Sequence, residues 1–413
     1  RNGDVALVGF HVANTGEIDA RSGDVLLGAG NNILLKAEGT NRLFVLSDAS
    51  ENDETQDHED ETVGVENSGI IAAVSTELKA AGGNLYALAV NSSGIIRATG
   101  VANRNGRIVL TSDGDSISLD GRLTARDADG SGGEVLVGGA YQGGNAAEVA
   151  NAALVTASAN SVIDVSASAE RGNGGQAIVW ADETTTFAGH IDATGGTVEG
   201  DGGFAEVSGK QKLNMTGTAD LRAANGANGT LLLDPTDITI GSADNNVNSG
   251  SDPVVPTGGS SVLSVSTLQT LLAGGNVTVS TDAGGTDAGN ITVSQAVNWS
   301  SNNALTLDAD NNVAINANIT NTGSGSMTVD MSETTNSGTF TLNSGATIEI
   351  PTFNIKIRED ATLSGIVKVT TLDLQATSGT NAIGNFTAEN ASNQIGTFTT
   401  GSSFVRGSFS LRD

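Results

Sequence analysis

Short apolar runs that alternate with polar residues recur along almost the whole chain. In the middle of the chain they are Ala177–Val179, Phe204–Val207, Leu231–Leu233 and Ile238–Ile240. Glycine-rich corners separate them, as at Gly174-Gly175, Gly195-Gly196 and Gly202-Gly203. A two-residue alternation is typical of half-buried strands, and glycine clusters are typical of turns. The pattern predicts many short β-strands.

The glycines before these strands are regularly spaced. Gly175, Gly203 and Gly229 lie 28 and 26 residues apart. The first half of the chain also repeats an approximate pattern, G-x-I-x-A followed by G-x-V-x-L. Its copies begin at the paired glycines 69 and 83, 94 and 106, 121 and 133, and 189 and 203. A supersecondary unit repeated at a nearly fixed period indicates a β-solenoid, in which each coil stacks on the next.

The composition supports this interpretation. Of the 413 residues, 3% are aromatic and 38% are hydrophobic, and 55 are glycine. A compact domain of this length needs more large side chains, whereas a solenoid has a thin core of small and branched residues. Disorder is excluded because the β-branched alternation persists nearly throughout the chain.

The net charge narrows the partners. Forty-seven acidic residues against 19 Lys and Arg give a net charge of −28. Such a chain repels nucleic-acid phosphates and anionic membrane surfaces, so neither is an expected partner. No apolar run approaches the ~18–20 residues of a membrane span, and membrane insertion is not expected either. The absence of cysteine leaves export open.

Five segments follow from the pattern along the chain. Residues 1–46 are expected to form β-helix coils, 47–67 an acidic insertion loop, and 68–240 further coils with the glycine repeat. Residues 241–262, with Pro253 and Pro256, are predicted to be a linker or long loop, and 263–413 a second β-helix segment rich in Asn and Thr. Asn at its corners can stack as a ladder.

One short helix is predicted within SVSTLQTLLAGG, residues 264–275. Ser264 or Ser266 can cap its N-terminus, and a glycine ends it. Leu268, Leu271 and Leu272 then share one face.

The acidic loop is the candidate cation site. Carboxylates are hard oxygen ligands of the kind that Ca²⁺ prefers. The candidate ligands in the loop are Asp53, Glu54, Asp57, Glu59, Asp60 and Glu61. They lack the residue order of an EF-hand or of a calcium-binding β-roll. A solvated insertion loop is therefore the favoured interpretation, and no other cofactor is expected.

The sequence contains no recognisable catalytic motif. Its three histidines lie far apart, and none has the setting of a nucleophile's base. Asp192, Glu206 and Asp220 are spaced by about half a coil, which allows carboxylates to align on one face. With so few basic residues beside them, we do not expect an enzyme.

Two aromatic residues have alternative interpretations. Trp180 stands beside acidic residues and could stack a sugar ring, but packing at the end of a strand is favoured. Tyr141 lies in the interruption 138–160, which is expected to be a protruding corner laid on the solenoid.

Four motifs in order carry a resemblance to a known family. GGQAIVWAD, FAGHIDATGG, GDGGFAEVSGK and LLLDPTDITI resemble the filamentous-haemagglutinin family, the large exported adhesins of Gram-negative two-partner secretion systems. The start of the chain, GDVALVGFHVANTGEIDARSGDVLLGAG, resembles the end of that family's secretion-type domain. The resemblance implies a right-handed parallel β-helix rod, export through an outer-membrane partner, and a location outside a Gram-negative cell. The chain begins at Arg1 inside a repeat, which suggests an internal fragment.

Three functions are therefore considered. The first is an adhesin segment that forms a rigid stalk and attaches to host-cell or matrix glycans or proteins, including a biofilm matrix. The second is a structural protein that self-associates into extracellular fibres. The third, which the missing motifs disfavour, is a polysaccharide-degrading β-helix enzyme.

Overall fold

The structure is a computed structural model. It describes residues 3–30, 33–38, 42–47, 64–80, 88–101, 104–144, 146–243, 260–282, 284, 287–331, 338–376, 382–400, 404–405 and 407–413. The described part forms forty β-strands, one α-helix and one 3₁₀ turn, Tyr141–Gly143.

The strands of the first half, in chain order, are β1 Val5–Gly9, β2 His11–Asn14, β3 Glu17–Ala29, β4 Ile33–Glu38, β5 Arg42–Ser47, β6 Gly64–Asn67, β7 Ile70–Ala80, β8 Leu88–Ser92, β9 Ile95–Thr99, β10 Arg107–Ser112, β11 Ser116–Leu119, β12 Arg122–Arg126, β13 Glu134–Val137, β14 Leu154–Ala157, β15 Val162–Asp164, β16 Gln176–Ala181, β17 Thr184–Phe187, β18 His190–Asp192, β19 Phe204–Gly209, β20 Lys212–Met215 and β21 Thr218–Asp220.

The remaining elements are β22 Thr230–Leu233, β23 Ile238–Gly241, β24 Ser261–Ser264, α1 Val265–Gly274, β25 Asn276–Ser280, β26 Ile291–Val293, β27 Val297–Trp299, β28 Leu305–Asp308, β29 Val313–Ile315, β30 Ile319–Asn321, β31 Ser326–Asp330, β32 Phe340–Leu342, β33 Thr347–Ile357, β34 Ala361–Leu363, β35 Ile366–Ala376, β36 Ala382–Ile383, β37 Phe386–Ala388, β38 Gln394–Thr399, β39 Phe404–Val405 and β40 Phe409–Leu411.

Parallel pairing between successive coils defines the fold. Each strand bonds to the strand one coil later, so that Gln176 pairs with Phe204 and His190 with Thr218, both 28 residues on. The offset confirms the period that the glycine spacing predicted. The chain is an all-β protein with the parallel β-helix arrangement that the sequence indicated. Strands β4 and β5 differ, because they pair with each other as an antiparallel hairpin within the predicted coils of 1–46.

The described chain divides into two compact units. Unit 1 contains residues 3–209 and 215–229, and unit 2 contains residues 210–214, 230–243 and 260–413. Strands β22 and β23 thus belong to unit 2, although they precede the predicted 241–262 segment. Residues 244–259 of that segment lie outside the described residues.

The core of unit 1 is built from apolar columns. One inward column passes through seven successive coils, and six of its members are β-branched residues or leucine: Ile18, Ile71, Ile96, Leu123, Ile163, Ile191 and Ala219. Ile71, Ile96, Leu123, Ile163 and Ile191 are fully buried. Because strand side chains alternate between faces, every second residue of these strands points outward.

The repeated glycines of unit 1 lie where neighbouring coils come closest. A Cβ atom on Gly121 would lie 2.0 Å from the carbonyl oxygen of Gly94, and one on Gly94 would lie 2.2 Å from that of Gly69. A second column behaves alike, since a Cβ on Gly203 would lie 2.1 Å from the Gly175 oxygen. None of these glycines has a left-handed φ. Their recurrence therefore reflects tight backbone stacking rather than the turn conformation expected from sequence.

Unit 2 repeats the arrangement with larger side chains. Its inward columns include Val277, Leu305, Met327, Phe353 and Leu372, all buried. Phe353 also meets Phe340 edge-on, with ring centroids 6.0 Å apart. These rings fill a core that is polar at most of its outward positions.

Helix α1 matches its prediction. The Ser264 side chain caps it by accepting a hydrogen bond from the Thr267 N–H at 3.1 Å. Leu268, Leu271 and Leu272 are buried, as their spacing indicated. In the described part of the chain, no helix has the length and apolar character needed to span a membrane.

Candidate functional site

A column of carboxylates runs along one outward face of unit 1. Asp164 of β15 lies beside Asp192 of β18, which lies beside Asp220 of β21. Adjacent members are separated by one coil spacing, about 4.8 Å. The structure thus brings together Asp192 and Asp220, two of the three carboxylates noted in the sequence. It adds Asp164, which the same 28-residue spacing would have revealed.

Each carboxylate of this column closes the turn that follows its strand. Asp192 accepts hydrogen bonds from the Thr194 N–H at 3.1 Å and the Thr194 hydroxyl at 2.8 Å. Asp164 does the same with Ser166, and Asp220 accepts from the Arg222 N–H. An Asp side chain that bonds the backbone two residues on is the usual Asx turn. The column therefore has a structural duty in every coil.

Arginines neutralise both ends of the column. The Asp164 carboxylate lies 2.5 Å from Nη2 of Arg122 and 2.5 Å from Nη2 of Arg126. Burial opposes ionisation of Asp164, but the hydrogen bonds and charge of Arg126, aided by Ser166, hold its pKa below 3.8. At the other end, burial is likewise outweighed by Arg222, which lowers the pKa of Asp220.

Glu206 lies apart from this column. It sits on β19, is fully buried, and accepts hydrogen bonds from the Gln142 N–H at 3.2 and 3.1 Å. The three carboxylates from the sequence therefore do not share one pocket. In the ordinary hydrolase geometry two carboxyl groups face each other across a substrate bond, with one held protonated. The lowered pKa of Asp220 is opposite to that requirement.

The segment 138–152, here called the strap, covers Trp180. Gly139 and Gly143 of the strap lie against the indole, and the Trp180 side chain is buried. Its Nε1–H donates to Asp182 at 2.9 Å, and Asn151 of the strap donates to the same carboxylate at 3.1 Å. The packing interpretation of Trp180 is confirmed. Its ring is covered and presents no platform for a sugar.

Tyr141 at the tip of the strap packs as predicted on the solenoid. Its ring meets Phe204 edge-on at a centroid distance of 5.8 Å, and 48% of the residue stays exposed. The next residue, Gln142, has a φ of 51°, a left-handed conformation that is uncommon outside glycine. The Glu206 carboxylate receives the Gln142 N–H and helps to hold this geometry.

Each unit also has a surface depression. In unit 1 a cavity of about 150 Å³ is lined by Glu17, Arg21, Ile70, Ala72, Ala73, Arg97 and Thr99. In unit 2 an open groove of about 700 Å³ follows the bend of β33, β35 and β38. Its wall includes the Glu349–Lys368 ion pair, whose charged atoms lie 3.6 Å apart. Both depressions mix charged and apolar groups.

The predicted cation ligands cannot be placed. Asp53, Glu54, Asp57, Glu59, Asp60 and Glu61 all lie outside the described residues. Among the residues that are described, no group of three or more His, Asp or Glu side chains could hold a metal ion. Ca²⁺ binding by the acidic loop stays a prediction.

Comparison with known proteins adds no identity. No protein-family model matches the chain, and no curated protein matches it. The resemblance to the filamentous-haemagglutinin family therefore rests on the four quoted motifs.

The arginine-bracketed carboxylate gives the first testable expectation. Replacing Asp164 with Asn leaves Arg122 and Arg126 without their shared anion, and hydrogen bonds to charged groups contribute about 1.5–3 kcal/mol each. We expect Asp164→Asn to lower the free energy of unfolding by about 2 kcal/mol at pH 7. Because folding lowers this pKa, the contribution is complete above pH 3.8 and is lost as the pH falls through the folded value. Urea unfolding of both proteins from pH 7 to pH 3 measures it.

Asp127 is the matched control because its shift has the opposite sign. Burial raises the pKa of Asp127 above 3.8. Its ionised form therefore disfavours the fold, and the fold gains stability as the pH falls through that raised value. Asp127→Asn should leave stability at pH 7 unchanged or higher. An Asp164→Asn deficit that stays constant down to pH 3 would contradict the assignment.

Proposed function

We propose that the chain is a segment of a secreted or cell-surface adhesin, a stiff scaffold that attaches to glycans or matrix polymers. The single observation that carries the proposal is the register of its outward residues. In both units, polar side chains on successive coils align in columns, as with Asp164, Asp192 and Asp220. A column offers the same contact again at every coil. Weak contacts of this kind add up when the partner is itself a repeating polymer.

The backbone of the coils supports a scaffold role. Strand N–H and C=O groups bond from coil to coil along both units, and glycine columns let the backbones approach closely. Such a structure has few groups left to rearrange and resists local opening. Export to the surface of a Gram-negative bacterium, through an outer-membrane partner, belongs to the same proposal and rests on the motif resemblance.

The carboxylate chemistry favours attachment over polysaccharide cleavage. Asp164 and Asp220 are bound to arginines, and their lowered pKa values keep them ionised. Neither can serve as the protonated acid that glycoside hydrolysis requires. Glu206 is buried beneath the strap and is held by a backbone N–H.

The test is a glycan and matrix-protein array probed with the labelled protein, combined with attachment of coated beads to cells and to biofilm matrix. We expect saturable binding that depends on multivalent display of the protein. Negative-stain electron microscopy of the same preparation should show separate particles. Continuous filaments without array binding would favour the fibre-forming alternative, and release of reducing sugar from any bound polymer would overturn the attachment proposal.

A further inference from the structure

Unit 2 carries an unusually uniform outward face. The strands β23, β26, β29, β32, β34 and β37 each have three paired residues or fewer, with apolar residues inward and one residue outward. The outward residues align in one column, from one coil to the next: Thr239, Thr292, Ala314, Thr341, Thr362 and Thr387. At about 4.8 Å per coil, the five intervals span about 24 Å.

The hydroxyls of this column, here called the threonine column, are available. Within the described residues, none of the five threonine hydroxyls has a hydrogen-bond partner, and all five side chains reach the surface. A hydroxyl is both a donor and an acceptor. The column therefore presents a row of donors and acceptors at the coil spacing, interrupted once, at Ala314.

The corner beside the threonine column is occupied by groups that bond to each other. Asp237 accepts from the N–H groups of Gly289 and Asn290 at 2.8 and 2.6 Å. Asn290 accepts from the Asn312 amide at 3.0 Å, and Asn312 accepts from the Thr339 N–H at 2.9 Å. This is the asparagine ladder predicted for the corners. Because these amides are engaged, the threonine hydroxyls are the groups on this face that remain for a partner.

The threonine column is also uncharged, in a chain of net charge −28. An acidic polymer would be repelled by the protein as a whole and would find no cation in this column. A basic polymer would be attracted to any acidic surface and would gain nothing from hydroxyls. A neutral polymer rich in hydroxyl groups matches both properties.

We propose that the threonine column binds a neutral polysaccharide chain lying along the coils. The inference rests on the proposed attachment function and names its ligand class and its surface. Each hydroxyl contributes little by itself, since a neutral hydrogen bond has a net value of only about 1 kcal/mol. Binding needs several coils at once, so a polymer should bind and its monosaccharide should not.

The test uses the full chain and isosteric substitutions. Thr341→Val with Thr362→Val removes two hydroxyls and keeps the shape of both side chains. The matched control is Thr278→Val with Thr306→Val, which removes two half-buried hydroxyls from a column on strands β25 and β28. Affinity electrophoresis with soluble β-glucan, mannan and polygalacturonate measures binding. Circular dichroism and thermal unfolding establish that each variant folds.

We expect the wild-type protein to bind at least one neutral polymer and not polygalacturonate, with no change in 0.5 M salt. The Thr341/Thr362 variant should bind about tenfold more weakly, and the control pair should bind as the wild type does. Ala314→Thr fills the interruption and should strengthen binding about threefold.

Several results would overturn the inference: equal binding by both double variants, preference for polygalacturonate, or no binding of any neutral polymer. A column that instead joins two copies of the chain would show as dimerisation lost in the Thr341/Thr362 variant. The adhesin proposal is judged separately by the array and bead assays, which do not depend on this face. Attachment that survives in the Thr341/Thr362 variant would move the contact to another surface and leave that proposal standing.

Discussion

Replacing Gly121 with Ala is expected to lower the free energy of unfolding by about 3 kcal/mol, the upper end of the usual cost of overpacking. The added methyl group would lie 2.0 Å from the carbonyl oxygen of Gly94 and 2.7 Å from the Ser93 carbonyl carbon. Both obstacles are backbone atoms of the coil below, so no side-chain rotation relieves the contact. The coils must separate, and the hydrogen bond from the Arg122 N–H to Gly94, at 3.0 Å, must lengthen.

Gly16 is the control for this expectation because it begins the same column. A Cβ on Gly16 meets no atom within 4 Å. Gly16→Ala should change stability by no more than about 1 kcal/mol, and the loss of unfolded-state entropy favours the variant. Urea unfolding followed by circular dichroism measures both, and limited proteolysis locates any local opening. Equal stability of the two variants would refute backbone stacking as the reason for the repeat.

Replacing Trp180 with Ala is the second large expected effect, a loss of about 3–5 kcal/mol. The indole fills the space between β16 and the strap and is 1% exposed. Its removal leaves a cavity and takes away the hydrogen bond to Asp182 at 2.9 Å. The strap then loses the surface on which Gly139 and Gly143 lie. We expect faster proteolysis within 138–152 as well as a lower unfolding midpoint.

Two variants separate the contributions at this position. Trp180→Phe keeps most of the packing and removes only the indole N–H, so its cost should be near that of one hydrogen bond, about 1 kcal/mol. Tyr141→Ala removes a half-exposed ring from the same strap and should cost about 1 kcal/mol. Should Trp180→Ala be no worse than Tyr141→Ala, the strap does not depend on the buried indole.

Much of the fold was legible because a solenoid repeats local information. The alternation in Gln176–Ala181 and Phe204–Gly209 identified strands, and the 28-residue glycine interval identified the coil. Helix α1 was equally local, since its cap Ser264 and its leucine face both lie within twelve residues. These features depend on neighbours in the chain or on the next copy of the same pattern.

The candidate sites were less accessible because they combine residues from different coils with residues from insertions. Nothing local indicates that Arg122 and Arg126 meet on Asp164, 38 or more residues later. The strap likewise brings Gln142 to Glu206 across 64 residues. The threonine column was visible only as a rich Asn and Thr composition until register placed its members one above another.

By itself the sequence determined that this protein is an all-β repeat with a thin apolar core, because strand alternation and glycine period are written into each coil. Only the tertiary structure decided what the repeats are for physically. It showed that Gly94 and Gly121 are small because a carbonyl of the coil below leaves no room for a Cβ. It also decided which polar residues bond to each other, as Asp164 does with its arginines, and which hydroxyls, as on Thr341 and Thr362, remain available to a partner. Register between coils fixes both outcomes, and register arises from stacking rather than from any single segment.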